Sequence, residues 1–465
     1  MSDDGALIDF YPYRDRFKTY HRLEPDGRDR AGILEELATM AAEEDRIGDA
    51  GRVSGSIYHG DHDHYAFLTE AFRLFAHANV LQRDMYPSAT KLEGEIVAMT
   101  ASMLHGDAPV CGVVTFGGTE SLINPMLVYR DRARAEKSIT EPEVIVPVTA
   151  HVALHKAAHL LGIKMLRAPL AADWRVDVDW VRRHVNRNTV ALVGSAPNYA
   201  HGLIDPIEEL AAMAQENDLG LHVDGCLGGF ILPWGERLGY AIPRFDFRIP
   251  GVTSISADTH KYGYALKGTS VLLYRTPELR RYQYFNYPDW PGGIYMSPGL
   301  SGSRSGGVVA ATWAAMVSLG EKGYMEIAAG IFETAAKIRD GIASIPELEV
   351  IGDPTFLVAF RARELNVFHV NDFLIARGWR LNALHLPPAL HFCVTRPNTA
   401  PGVAEAFVAD LRDAVEYARH PSRDEPKSGA LYGLGGTPSG NEALSMLFDA
   451  ALDAMYEVAP SGAGG

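Results

Sequence analysis

Four short segments hold residue types whose chemistry fits together. Gly117-Gly118-Thr119-Glu120-Ser121 follows an apolar run at 110–116 and opens a helix-like stretch. Glycines let a backbone approach a ligand closely, a helix N-terminus offers free N–H groups and Thr119 adds a hydroxyl, which together suit a phosphate. The segment has neither the lysine of a P-loop nor G-x-G-x-x-G spacing, which counts against a nucleotide. The run 219–224 ends in Asp224, the run 252–257 leads into Asp258-Thr259-His260-Lys261-Tyr262-Gly263, and His151 follows the run 143–148. A desolvated lysine has a lowered pKa and forms Schiff bases with aldehydes, while a carboxylate can hold a pyridine nitrogen protonated. Those are the requirements of pyridoxal phosphate. Singly, each group has an ordinary alternative: a glycine turn with an N-cap, Asp224 as a helix cap, Lys261 in solvent, His151 satisfied in a core. Their joint placement at strand ends makes the case for a cofactor.

The elements that must position these groups alternate along the chain. Val- and Ile-rich runs at 110–116, 143–148, 189–194, 219–224, 252–257 and 269–274 are interleaved with amphipathic stretches such as Glu120–Lys137, Ala150–Leu161 and Pro206–Asn217. This pattern predicts an α/β fold with a mostly parallel sheet covered by helices on both faces, and ligands in such sheets bind beyond the carboxyl ends of the strands. Only eleven residues, 258–268, separate the last two runs, too few for a helical crossover, so one edge strand is expected to be antiparallel. A Gly/Ser/Pro-rich stretch at 292–307 precedes a long helix, Val308–Gly320, and beyond Gly352 strand-like runs at 356–362 and 389–395 predict a small C-terminal α+β domain. The expected organisation is an N-terminal segment 1–64, with a helix around Ile33–Ile47, a large domain 65–330 and a small domain 331–465. The last of these ends in a Gly/Ser/Pro-rich stretch at 433–440, a helix Glu442–Met455 and a mobile tail.

The 465 residues carry 43 Lys+Arg against 58 Asp+Glu, a formal charge of −15, which excludes a general nucleic-acid binder and attachment to an anionic membrane by charge. Cys111, Cys226 and Cys393 are too few and too scattered for a disulfide framework or a zinc cluster, and each reads as a small buried hydrophobe in a strand-like context. The N-terminus has no basic and apolar leader pattern, and no run approaches the roughly 18 apolar residues of a membrane helix. A cytoplasmic protein is expected, with no integral membrane segment.

HVDGCLGGF (222–230) and SISADTHKYGYALKG (254–268) resemble the pyridoxal-phosphate decarboxylase group and, within it, the sphingosine-1-phosphate lyases. The resemblance runs from GRVSGSIYHG at Gly51 through FGGTESL, SAPNYAHGLIDPIEEL and DWPGGIYMSPGLSGSRSGG to LHFCVT. It implies a fold type I transferase with a seven-stranded sheet, and pyridoxal 5'-phosphate bound covalently to Lys261. It further implies Asp224 on the pyridine nitrogen, His151 stacked on the ring, and Gly118, Thr119 and His260 on the phosphate. Gly302 and Ser303 would reach that phosphate from a partner subunit, in a homodimer with shared active sites. Tyr58 and Tyr199 match tyrosines that the lyases place near the scissile bond, where a hydroxyl can relay the proton of the substrate's 3-OH. Packing at an interface is the alternative for both. Lys267, six residues beyond Lys261, is a candidate for the substrate phosphate or an ordinary solvated lysine.

One departure bears on the substrate. Where the lyases carry Asn-Pro-Leu-His-Pro, this chain reads Asn79-Val80-Leu81-Gln82-Arg83. Gln82 cannot act as an acid or base at neutral pH, whereas Arg83 adds a cation for a phosphate or carboxylate, or lies on the surface. Asn79, Gln82, Arg83 and Lys267 are the substrate-binding candidates. The dense run His59-Gly60-Asp61-His62-Asp63-His64 opens a helical stretch and does not present its groups on one face, so no metal site is expected. The resemblance implies a carbon–carbon lyase cleaving a phosphorylated sphingoid base to a long-chain aldehyde and phosphoethanolamine. An amino-acid decarboxylase is the alternative, and a silent phosphate- or partner-binding relative is a third reading. With an acidic surface, phosphate recognition must rest on local groups: Lys267, Arg83, Arg304 and the turn at Gly118-Thr119.

Overall fold

The computed structural model describes residues 12–13, 15–20, 22–429 and 438–456, so the leader reading at the N-terminus, most of the 433–440 stretch and the expected mobile tail lie outside the described residues. Helices α1 (Arg30–Asp49), α2 (His62–Leu74) and α3 (Pro87–Met103) come first. Then follow β1 (Cys111–Thr115), α4 (Gly118–Lys137), β2 (Glu143–Pro147), α5 (Val152–Leu161), β3 (Lys164–Ala168), α6 (Val178–His184), β4 (Thr189–Ser195), α7 (Ile207–Glu216), β5 (Gly220–Asp224), α8 (Leu232–Arg237), β6 (Ser254–Ala257) and β7 (Ser270–Tyr274). After α9 (Pro277–Arg280) come a hairpin, β8 (Phe285–Trp290) and β9 (Gly293–Ser297), and the long helix α10 (Gly306–Ala343). The C-terminal part holds β10 (Leu348–Val350), β11 (Leu357–Ala362), α11 (Val367–Ala376), β12 (Asn382–His385), β13 (Pro388–Cys393), α12 (Val403–Arg419) and a final helix, Pro438–Met455.

Seven strands form the main sheet in the order β1-β7-β6-β5-β4-β2-β3. β2, β4 and β5 are buried along their whole length, as strands covered by helices on both faces must be. β1 to β6 run parallel, and β7 is antiparallel to both of its neighbours. The reversed strand expected at an edge therefore lies inside the sheet, between β1 and β6. The short 258–268 connection turns the chain straight back against β6. β3 escaped the apolar pattern because it is an edge strand, Lys-Met-Leu-Arg-Ala, with Lys164 and Arg167 exposed.

Helix α10 is longer than its expected Val308–Gly320 core. It continues past a non-helical Gly320 (φ 54°) to Ala343, so the 330/331 boundary falls within it. The smaller sheet, order β10-β11-β13-β12, is antiparallel throughout. Trp379, Phe392 and Phe407 pack edge to face behind it at centroid distances of 4.9–6.1 Å, an arrangement that contributes about 0.5–1.5 kcal/mol per pair beyond area burial. Residues 51–58 dock on this sheet: Gly55 N donates to Cys393 O (2.8 Å), and Asn398 Nδ2 donates to Gly51 O (2.8 Å). This N-terminal strap thereby carries Tyr58 across to the main sheet.

Candidate active site

The chain leaves β6 at Ala257 and folds a tight turn, with Lys261 N donating to Asp258 O and Ala265 N to Thr259 O. Both parts of the protein clamp this turn. Tyr262 OH donates to Val394 O (2.6 Å), and Tyr324 OH on α10 donates to Gly263 O (2.9 Å). Lys261 Nζ is thereby held 2.8 Å from the buried Asp258 Oδ2. Burial opposes both charges, yet each partner overrides it: Lys261, then His260, hold the Asp258 carboxyl below its usual range, and Asp258 raises the Lys261 ammonium. His260 Nδ1 donates to Thr269 O (2.5 Å), and burial lowers its pKa.

The glycine turn after β1 lies against the same carboxylate. Gly117 has φ +112°, which side-chain-bearing residues avoid, and its Cα faces the His260 ring. A Cβ on Gly118 would stand 2.8 Å and 3.0 Å from the Asp258 oxygens and 3.1 Å from Cys226 Sγ. Only glycine fits here. Thr119 is exposed at the start of α4. Asp224, buried at the end of β5, accepts from Cys226 N (3.0 Å) and Ser256 Oγ (3.5 Å). Cys226 lies in the turn beyond β5 rather than in a strand, and burial, then Asp224, raises its thiol pKa well above the ordinary value.

Tyr58 is buried, edge-on to Tyr262 at 5.1 Å. Burial, and next to it Cys393, raises its phenol above the ordinary value. Lys267 Nζ sits 4.6 Å from the Tyr58 ring centroid and donates to Ser56 O (3.1 Å). The residue is open to solvent, but its ammonium lies among protein groups. Lost hydration, and then the Lys261 charge, lower its pKa to about 8. His151 caps α5 by accepting from Ala153 N (3.2 Å) and is exposed. Tyr199, also exposed, meets the His391 ring edge-on at 4.7 Å, and His391 Nδ1 donates to Ala200 O (3.1 Å) in the loop that bears it.

Asn79, Gln82, Arg83, Gly302 and Ser303 form a second group. Asn79 Nδ2 donates to Ser303 Oγ (3.0 Å), Gln82 is exposed, and Gly302 packs under the Tyr295 hydroxyl. Arg83 donates to Glu93 Oε2 (2.5 Å) and to Thr90 Oγ1 (3.2 Å). Arg304, offered above as a phosphate cation, is corrected to a structural one. It is buried, paired with both Glu93 oxygens (2.6 and 3.2 Å) and bonded to Val114 O (2.8 Å). The His59–His64 run is absorbed locally: Asp61 caps α2 and pairs with Arg396, His62 pairs with Asp49, and His64 Nε2 bonds Tyr264 O while its ring stacks on His59 at 3.8 Å. Among the described residues no three His, Cys, Asp or Glu converge on a metal-sized space. A 740 Å³ cavity lined by Trp174, Tyr240, Phe332 and Arg339 contains none of the candidate residues.

Asp258 went unassigned in the sequence, although its position one residue past β6 mirrors Asp224 at the end of β5. A half-buried lysine paired with a buried carboxylate, a second strand-end carboxylate and a cradle without room for a Cβ fit pyridoxal phosphate: an aldehyde, a ring nitrogen and a phosphate each meet a complementary group. Residues 55–363 match the family described as "Pyridoxal-dependent decarboxylase conserved domain", and the fold and site define a pyridoxal-phosphate-dependent enzyme. The chain is 42% identical over 440 residues to the sphingosine-1-phosphate lyase of Dictyostelium discoideum, covering 93% of this chain and 82% of that protein. The solved structure of the Burkholderia pseudomallei sphingosine-1-phosphate lyase is 52% identical, with a TM-score of 0.90 over 96% of this chain and 99% of that one. Lactobacillus brevis glutamate decarboxylase, 19% identical with a TM-score of 0.75 over 89% of this chain and 98% of that one, shares the fold. This chain belongs to the sphingosine-1-phosphate lyase family. Among its described residues no helix is long and apolar enough to cross a membrane.

Proposed function

We propose that this lyase cleaves the Cα–Cβ bond of a phosphorylated sphingoid base such as sphingosine 1-phosphate, giving a long-chain aldehyde and phosphoethanolamine. The observation that carries this reading is the Tyr58–Lys267 pair beside the Lys261 turn, a hydroxyl and a cation beside the lysine assigned to the cofactor. When bound, pyridoxal phosphate supplies the sink for the electron pair released as the carbon–carbon bond breaks. Lys261 holds the cofactor aldehyde, Asp224 its pyridine nitrogen, His151 its ring face, and Gly118, Thr119 and His260 its phosphate. Tyr58, with its raised pKa, keeps its proton at neutral pH and acts as a hydroxyl relay rather than a tyrosinate base. Lys267, with its pKa near 8, either accepts the substrate hydroxyl proton passed by Tyr58 or meets the substrate phosphate as an ammonium. Tyr199 is the second tyrosine assigned near the scissile bond, and Asn79, Gln82 and Arg83 are the remaining substrate contacts.

A homodimer is part of this reading. His151, Thr119, Tyr199 and Ser303 are exposed in one chain, and the β8–β9 hairpin exposes Phe285, Trp290, Ile294 and Met296, an apolar surface suited to a second copy. Gly302 and Ser303 would then reach the partner's cofactor phosphate. Three free cysteines agree with a reducing cytoplasm. The test is product analysis with sphingosine 1-phosphate: a long-chain aldehyde lost in Lys261→Ala and reduced in Tyr58→Phe supports the lyase. Release of carbon dioxide from an amino acid, without aldehyde from any 3-hydroxy amine, overturns it in favour of a decarboxylase. The Gln82→His variant, assayed alongside, reads how far the departure at this position alters substrate choice.

A further inference from the structure

Beneath Asp224 runs a buried polar chain that the proposed chemistry does not use. β5 and β6 pair in parallel with His222 opposite Ser254 and Asp224 opposite Ser256, so the two-residue period of a strand sets all four side chains on one face. Tyr129 OH on α4 lies 2.6 Å from Ser254 Oγ, and Ser254 Oγ lies 2.8 Å from His222 Nδ1. His222 Nε2 lies 3.3 Å from Ser256 Oγ, which donates to Asp224 Oδ1 at 3.5 Å. Tyr129, His222, Ser254 and Ser256 are all at most 1% exposed. Polar groups this deep cost stability unless every one is satisfied, and an apolar set would pack the same space more cheaply.

The direction of the protons follows from the end of the chain. A carboxylate accepts only, so in the contact between them Ser256 is the donor, with its O–H toward Asp224 and its lone pairs away. Those lone pairs take the Cys226 thiol (3.2 Å) and an Nε2–H of His222. His222 Nδ1 is then an acceptor for Ser254, whose own oxygen accepts from Tyr129. Every donor from Tyr129 onward points toward Asp224, with Thr253 Oγ1, 2.7 Å from Tyr129 OH, heading the chain and donating to Tyr129 rather than to Leu221 O at 3.0 Å. Burial supports this arrangement by lowering the His222 pKa to about 4, which keeps the ring neutral, with one donor and one acceptor.

We propose that His222 is a positioning residue for Asp224: through Ser256 it delivers a hydrogen bond to Oδ1 and thereby keeps Asp224 an acceptor for the cofactor's pyridine nitrogen. This rests on the assignment of Asp224 made under the proposed function. The experiment reconstitutes the apo-protein with pyridoxal phosphate labelled with nitrogen-15 in the ring and records the ring nitrogen shift and the dissociation constant at neutral pH. Wild type and His222→Gln, whose amide can also accept at one atom and donate at the other, should show a protonated ring nitrogen. His222→Leu and Ser256→Ala should move the shift toward the neutral pyridine and weaken binding about tenfold, the size of one charge-assisted hydrogen bond. If His222→Leu does not fold, Ser256→Ala, which removes a single oxygen, decides alone. An unchanged shift in Ser256→Ala with the cofactor bound overturns the relay. An unchanged shift in Asp224→Asn overturns the assignment of Asp224 itself, and the relay with it.

Discussion

Lys261 Nζ and Asp258 Oδ2 stand 2.8 Å apart, three residues from one another in the turn beyond β6. The pair keeps Lys261 an ammonium in the ligand-free chain, because the attraction of Asp258 exceeds the cost of burying the charge. Only the free amine attacks an aldehyde, so Asp258 both stores the lysine and restrains it.

Replacing Asp258 by Asn should therefore speed covalent capture of pyridoxal phosphate at neutral pH. With the carboxylate gone, burial is the largest remaining influence on Lys261 and lowers its pKa, so the pH midpoint for capture should fall by at least about one unit. The rate at which visible absorbance appears on adding the cofactor to apo-protein, followed across pH, measures this. An unchanged profile would show that Asp258 does not control the lysine. Lys261→Ala should hold no cofactor covalently after borohydride reduction, which in the wild type converts the lysine–aldehyde link to a stable amine.

Gly118→Ala should displace Asp258 or the turn itself and weaken cofactor binding at least about tenfold, or roughly 1.4 kcal/mol. The new methyl meets the Asp258 oxygens at 2.8 and 3.0 Å and Cys226 Sγ at 3.1 Å, none of them the end of a long flexible side chain. Gly94→Ala on α3, where nothing lies within 4 Å, is the matched control, and it should stabilise the helix slightly. Equilibrium dialysis of both variants against pyridoxal phosphate reads the difference. Equal affinities would count against the glycine turn as the phosphate cradle.

Glu93 balances two guanidinium groups, Arg304 in the interior and Arg83 nearer the surface. Glu93→Ala strands the buried Arg304 charge and should cost about 3–5 kcal/mol, whereas Arg304→Met combined with Glu93→Met should cost much less. Urea denaturation of the two variants supplies the comparison. A double variant as unstable as Glu93→Ala would mean that the site needs the ion pair itself.

Acid should unfold the protein early. Burial lowers the pKa of His59 to about 3, and those of His201, His222 and His391 to about 4. These rings are neutral in the folded state and ionise in the unfolded one below about 6.5, so their contribution is complete above that pH and is lost as pH falls toward 4. Asp205 works the other way. Burial raises its pKa to about 6, so its contribution is present below the ordinary carboxylate value and is lost as pH rises through 6. Between pH 6 and 4 the balance is about three protons taken up on unfolding, a stability slope of about 4 kcal/mol per pH unit before other carboxylates are counted. The urea midpoint measured across this range should fall steeply, and a flat profile would mean that these histidines are hydrated.

Several features of this protein were legible in its residues. The Val- and Ile-rich runs predicted where β1, β2, β4, β5, β6 and β7 lie. Gly117-Gly118, Asp224 and Lys261 were legible as strand-end groups because the end of an apolar run is a local signal. β3 was not, since its Lys164 and Arg167 break the run on an edge where charge is tolerated. Nor was the hairpin at 285–297, whose residues are almost all exposed in one chain.

What the sequence by itself determined was the alternation of strands and helices and the groups placed at strand ends, because periodicity and turn chemistry act over a few residues. Only the tertiary structure decided which of those groups meet. β7 entered the middle of the sheet because a short turn folded it back against β6 and β1 then closed on its far side. Arg304 left the list of phosphate cations because Glu93, 211 residues away, reached it first in the interior. His222 lies one hydroxyl, Ser256, away from Asp224 because only the register of β5 on β6 brings that serine alongside both. Such pairings depend on register and packing between distant segments, and a buried charge or hydrogen bond takes its value from that surrounding structure rather than from its neighbours in the chain.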